Sequence, residues 1–149
     1  MLIFWLFFLV VPRYKKKFHK YKVSDSAKRS ADGIVFASRL EMRVYLFLKQ
    51  VIGLKNFELQ PSFELQPGFR RQGKAIRAIK YVADFLVKDG DEELVVDAKG
   101  MVTPVFKIKQ KMFMHKFDKD IHLLKTKKDM ANFARSLKNI DLLVEPESI

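Results

Sequence analysis

Between Ile79 and Lys99 the chain carries two apolar runs, Ile79 to Val87 and Glu93 to Lys99, on either side of Lys88-Asp89-Gly90-Asp91. Asp-Gly is a strong hairpin turn signal. The runs are apolar on both faces, with Tyr81, Val82, Ala83, Phe85, Leu86 and Val87 in one and Leu94, Val95, Val96 and Ala98 in the other. Strands of that kind belong inside a sheet that is covered on both sides. This hairpin limits the chain to a domain with a central sheet.

The hairpin also carries charge where charge is costly. With Gly90 and Asp91 at the centre of the turn, Asp84 lies opposite Asp97; with Asp89 and Gly90 there, Asp84 opposes Val95 and is diagonal to Asp97. Either register puts Asp84, Asp97 and Lys99 on one face, with the carboxylates about 5 to 8 Å apart at Cβ. Like charges facing each other in a sheet repel, and a buried ionised carboxylate needs a partner. Lys99 can neutralise one charge. A divalent cation would neutralise both, and an all-oxygen donor set selects Mg²⁺ or Mn²⁺ over zinc. The plainer alternative is a local Asp–Lys ion pair at the rim of the sheet, with Asp84 hydrated.

Other elements follow from caps and periodicity. Ser38-Arg39-Leu40-Glu41 has the form of a capping box, and Leu40, Val44, Phe47, Leu48 and Val51 continue at helical spacing up to Gly53. A helix is therefore expected over 39–52. Glu41 can serve its cap, stand as a third carboxylate beside the aspartates, or do both. Phe57-Glu58-Leu59 and Phe63-Glu64-Leu65 read as short strands punctuated by Pro61 and Pro67-Gly68. Thr103-Pro104 opens a helix to about Phe117, with Val105, Ile108 and Met112 as its core stripe. Ile121 to Leu124 is expected to be a strand, Lys128 to Lys138 a helix, and Ile140 to Val144 a strand or tail. The result is an α/β (α+β) domain with a mixed central sheet flanked by helices.

The charge balance points to a polyanionic partner. The 149 residues hold 29 Lys and Arg against 17 Asp and Glu, a net charge of +12. Three clusters hold most of the bases: Arg13 to Arg29, Arg70 to Lys80, and Val105 to Lys128. Such clusters fit phosphate contacts, which do not specify a base sequence. The Lys107, Lys109, Gln110 and Lys111 face could run along a strand backbone or simply be solvated. Cys is absent, which excludes disulfides, thiolate zinc sites and a Cys nucleophile, and fits a reducing cytoplasm. His19, His115 and His122 lack zinc-ligand spacing, and no phosphate-binding glycine loop or nucleophile-elbow motif is present.

Met1 to Val11 is uncharged and is stopped by Pro12. It is too short to span a bilayer as a helix, for which about 20 residues are needed. The division expected is an apolar extension over 1–12, a basic arm over 13–31 and one domain over 32–149. Membrane-surface contact through residues 1–22 is the lesser reading of that end.

Asp84, Asp97-Ala98-Lys99 and the earlier helical Glu41 resemble the PD-(D/E)XK nuclease signature. The stretch from Asp32-Gly33 to about Phe117 is more closely similar to a phage and prophage branch of that superfamily, described only as a domain of unknown function. Leu59-Gln60-Pro61, Phe63 to Pro67, Ile76-Arg77-Ala78-Ile79, Tyr81 to Phe85, and Asp97 to Gly100 with Thr103-Pro104 carry the likeness. Ala83 stands where the signature has Pro, and Asp97 where it more often has Glu.

The resemblance implies a restriction-endonuclease-like αβββαβ core. It implies Asp84, Asp97 and the Ala98 backbone carbonyl as ligands of Mg²⁺ or Mn²⁺, with Glu41 as a further carboxylate, directly or through a water. Lys99 would position or activate the attacking water. Arg77, Lys80, Lys107, Lys109, Gln110 and Lys111 are the expected DNA contacts. Similarity to Holliday-junction-resolving nucleases implies a homodimer that cuts branched DNA during phage recombination or replication in the cytoplasm of a bacterial host. A catalytically silent nucleic-acid-binding module on the same fold is the alternative.

Overall fold

The computed structural model describes residues 24–148. The apolar extension over 1–12 and the proposed membrane contact over 1–22 lie outside the described residues, as does most of the basic arm. Among the described residues no helix is long and apolar enough to cross a membrane.

The described end of the arm forms a short 3₁₀ turn, Ser26–Arg29, and then a small hairpin of β1 (Ser30–Ala31) and β2 (Ile34–Val35). Asp32 and Gly33 turn this hairpin with positive φ. The Asp32 carboxylate accepts hydrogen bonds from Tyr45 and Lys49, both at 2.7 Å, which fixes the hairpin to the first helix. That helix, α1 (Arg39–Val51), begins where the capping motif places it, with the Glu41 N–H donating to the Ser38 hydroxyl at 3.0 Å. It buries Val44, Tyr45, Phe47, Leu48 and Val51.

Next come β3 (Phe57–Leu59) and β4 (Ser62–Gln66), then a ribbon of β5 (Phe69–Arg71) and β6 (Lys74–Ile76), then β7 (Ile79–Val82), β8 (Phe85–Asp89) and β9 (Glu92–Asp97). Helix α2 (Pro104–Phe117), strand β10 (Ile121–Leu123) and helix α3 (Lys127–Ser136) complete the domain. The central sheet has the order β10-β9-β8-β3, with β10 parallel to β9 and the other pairs antiparallel. The domain is thus α+β with a mixed sheet, and α1, the three antiparallel strand segments, α2 and β10 follow one another in αβββαβ order.

Two expectations need correction. The run Ile79 to Val87 is not one strand but breaks at Ala83-Asp84 into β7 and β8. Its partner breaks at the same level, where Gln60 takes a φ of +52° before Pro61. Phe57 pairs with Val87 and Ser62 with Val82, so the register passes through the break unshifted. Gln60 N–H donates to Asp84 O at 2.9 Å and Ala83 N–H to Pro61 O at 3.1 Å, which holds the bend. The β4–β7 pair therefore leaves the central sheet as an arm, beginning at Asp84.

The second correction concerns α2. Val105 is 63% exposed and Ile108 60%, while Phe106 and Phe113 are the buried residues. Five Phe and Tyr rings decide this: Phe106 and Phe113 stack edge-on with Tyr81 of β7, and Phe63 of β4 packs on Phe113 and Phe117. The larger apolar area of these rings sets which face turns inward. Ile140 to Val144, expected as a strand or tail, takes the second form: Leu143 N–H bonds Val51 O at 2.7 Å, and Leu142 packs on the core.

Two apolar clusters sandwich the sheet. One joins α1, α3 and the inner residues Phe57, Phe85, Val87 and Val96; the other joins α2 to Leu65, Tyr81, Leu86 and Val95. Helix α3 is stopped at its start by a full capping box between Thr126 and Asp129.

Candidate active site

The hairpin takes the register in which Phe85 pairs with Val96, so Asp84 and Asp97 face each other at the mouth of the strands. Strand β9 ends at Asp97, just where the arm diverges. The two carboxylates thus sit at the end of the β8–β9 ladder, where β7 no longer continues the central sheet.

Each aspartate gives one oxygen to the protein. Asp84 Oδ2 accepts the Ala98 N–H at 2.7 Å, across the hairpin. Asp97 Oδ2 accepts the Tyr81 hydroxyl at 2.8 Å. Asp97 is only 2% exposed, yet its Oδ1 is buried without a hydrogen-bond donor. Lys99 Nζ stands 3.2 Å from that oxygen, close enough for ion pairing though not aligned for a hydrogen bond. The same ammonium lies 4.6 Å from the centroid of the Phe106 ring, which holds the Lys99 stem against α2.

Glu41 is 4% exposed and does serve its helix, although not as a full capping box. Its Oε2 accepts the Ala37 N–H at 2.8 Å, and the Gln60 side chain also bonds it. Burial pushes its pKa up, the Ala37 and Ser38 N–H groups pull it back, and Asp97 adds a smaller push upward. Asp84 is pushed up to about 7, first by burial and then by the charges of Asp97 and Glu41, against the Ala98 N–H and Lys99. Burial and the neighbouring Asp97 raise the Tyr81 phenol, so it stays a donor. Three carboxylates therefore share one field, with one ammonium to offset it.

The donors suit a hard cation held by few protein ligands. Among the described residues no three carboxylates or imidazoles converge as a closed metal cage. Glu41 Oε2 is engaged by the Ala37 N–H at the start of α1. The oxygens available to a cation are Asp97 Oδ1, which has no hydrogen-bond donor, the second oxygen of Asp84 and the Ala98 carbonyl. Mg²⁺ is commonly bound through one or two carboxylates while keeping several waters. The buried Oδ1, faced by Lys99 but without a hydrogen-bond donor, is the observation that favours a further cation here, since a buried acceptor left short of donors is costly.

The expected nucleic-acid contacts lie on the arm and on α2. Arg77, Lys80, Lys107 and Lys111 are exposed, and Lys109 and Gln110 partly so. Lys109 Nζ donates to Lys80 O at 2.7 Å and Lys116 Nζ to Glu64 O at 2.6 Å, tying α2 to the arm. Lys109 is thus partly committed to the fold.

Sequence reasoning missed Tyr81 and Gln60 as members of the site. Tyr81 is 16 residues from Asp97 along the chain and meets it across the fold, from β7 to the end of β9. A Gln before Pro61, between the two short strands of the F-E-L-Q-P repeat, was the available signal for the other.

A family model described as protein of unknown function, DUF1064, matches residues 18–131. The chain belongs to this family. The match includes Glu41, Asp84, Asp97 and Lys99, all of α1 and all of α2. No curated protein and no solved structure matches the chain.

Proposed function

We propose that this DUF1064 chain is a metal-dependent endonuclease of the PD-(D/E)XK type that hydrolyses DNA phosphodiester bonds, with branched DNA such as a Holliday junction as substrate. The observation that carries the reading is the pairing of Asp84 with Asp97 at the mouth of β8 and β9, where Asp97 Oδ1 is buried, unbonded and faced by Lys99. The αβββαβ order and the net charge of +12 support it.

In this reading Asp84, Asp97 and the Ala98 carbonyl hold Mg²⁺ or Mn²⁺. The bound ion supplies charge relief at the phosphoryl oxygens and lowers the pKa of water. Asp84 and Asp97 fix their free oxygens by giving the others to Ala98 and Tyr81. Lys99 presents an N–H donor beside Asp97, where it orients a water for attack or meets the developing negative charge. Glu41 adds negative potential from α1 without leaving its cap. Exposed Arg77, Lys80, Lys107 and Lys111 hold the phosphates on either side. A second copy of the chain, cutting the opposing strand of a junction, and a place in phage recombination within the bacterial cytoplasm belong to the same proposal.

Purified full chain, incubated with four-way-junction, forked and linear DNA in Mg²⁺, Mn²⁺ or EDTA, tests the reading. Cleavage is expected with either metal, strongest on the junction, none in EDTA, and far slower with Lys99→Ala. Binding without cleavage in every metal would instead identify a silent DNA-binding module.

A further inference from the structure

The sequence gives no strand signal between Pro67 and Arg77, yet β5 and β6 form a hairpin at the tip of the arm. Gln72 and Gly73 turn it with φ of +48° and +77°, both in the left-handed region that a two-residue hairpin turn needs. Every residue from 67 to 77 is exposed, and among the described residues the ribbon pairs with no other strand. A lone two-stranded hairpin is marginal in water, so a surface for it to lie on is expected.

The register sorts its side chains. Phe69 pairs with Ile76 and Arg71 with Lys74, and residues two apart share a face. One face thus has an exposed apolar pair at its base, with Phe69 46% and Ile76 42% exposed, and two cations at its tip. Arg70 lies on the other face and donates to Gly73 O at 3.1 Å, which stiffens the turn. From Arg70 to Lys80 there are five bases and no acid.

We propose that the β5–β6 ribbon is a second DNA-contacting element that grips the duplex backbone away from the cut, with Arg71 and Lys74 on phosphates and Phe69 and Ile76 against the groove wall. A two-stranded ribbon fits the major groove of B-DNA. The arm starts at Asp84, and the ten residues back to Lys74 reach at most about 33 Å as a strand. With the break at Arg77-Ala78 between β6 and β7, the ribbon lies within about one helical turn of duplex, roughly 10 base pairs, of the site. The ribbon makes the site sense the length of the duplex beside the scissile bond. This inference rests on the reading of the chain as one that acts on DNA, but not on catalysis.

Fluorescence anisotropy with full chain carrying Lys99→Ala, on labelled duplexes of increasing length, separates the two. In that background DNA binding is read without cutting, so an inactive wild-type chain would overturn the nuclease reading alone. Arg71→Ala/Lys74→Ala is expected to weaken binding about tenfold at moderate salt and to reduce the salt slope by about 2. Lys55→Ala/Lys138→Ala removes equal charge at the opposite end of the central sheet and is expected to change the slope by less than about 0.5. Wild-type affinity should also stop rising once the flanking arm reaches about 10 base pairs, whereas the ribbon variant should lose that dependence. Equal losses in both variants, or none in the ribbon variant, would overturn the proposal. So would a ribbon variant that loses sedimentation with anionic phospholipid vesicles while keeping full DNA affinity.

Discussion

Tyr81 donates its hydroxyl hydrogen to Asp97 Oδ2 at 2.8 Å, with both residues buried. One oxygen of the aspartate is thereby fixed, and the other faces the Lys99 ammonium at 3.2 Å. Tyr81→Phe removes that bond and leaves a second buried oxygen bare. The expected outcome is a loss of about 1.5 to 3 kcal/mol in metal-free stability. The Mg²⁺ concentration for half-maximal cleavage should rise about tenfold, with little change at saturation. Denaturant unfolding and Mg²⁺ titration of cleavage check the two parts.

Asp84 makes the metal-free chain pH-sensitive. Its ordinary value is 3.8 and burial beside Asp97 and Glu41 raises it to about 7. Between those values the folded chain holds more protons than the unfolded one, so stability falls as pH rises. Glu41, also raised, acts in the same direction. In EDTA the chain is expected to melt higher at pH 5.5 than at pH 8, by roughly 3 to 10 °C. Mg²⁺ should reduce the difference. Asp84→Asn, which keeps an acceptor for Ala98, should raise the melting temperature at pH 8 and abolish cleavage.

Asp89 locks the far end of the same hairpin. Its buried carboxylate accepts the Lys138 N–H at 2.9 Å and the Asn139 N–H at 2.7 Å, and its backbone carbonyl accepts the Asn139 amide at 3.2 Å. Asp89→Ala orphans two backbone donors, at an expected cost of about 2 to 4 kcal/mol. Gly90 has a φ of +64°, and a Cβ there would meet Asn139 Cβ at 2.9 Å. Gly90→Ala should therefore cost about 1 to 3 kcal/mol. Metal affinity should be unchanged in both, which calorimetry on the folded fraction checks.

Lys99 carries the only ammonium paired with the buried aspartate among the described residues. Lys99→Ala is expected to lower the cleavage rate about 10² to 10⁴-fold. Junction binding should stay within about twofold, because the exposed bases remain. Single-turnover cleavage and binding in the same buffer separate the effects.

Local signals made much of this legible. The Ser38 cap and the spacing from Leu40 to Val51 placed α1, and Asp89-Gly90 placed the hairpin that brings Asp84 opposite Asp97. Long-range packing hid the rest. The bend at Ala83-Asp84 depends on the backbone of Gln60 in another strand. The inward face of α2 was chosen by Phe63 and Tyr81 across the arm, against the aliphatic stripe of Val105 and Ile108. The β5–β6 ribbon has a polar turn with no Asn or Asp, and Asp89 finds its donors only through the C-terminal segment.

A Mn²⁺ titration of the full chain, followed by calorimetry, addresses the shared-cation site without relying on any substrate. One ion should bind per chain to the wild type, with Asp84→Asn and Asp97→Asn each reducing affinity at least about tenfold. A wild-type chain that takes up no Mn²⁺, or variants that bind it as tightly as wild type, would contradict a cation held between Asp84 and Asp97.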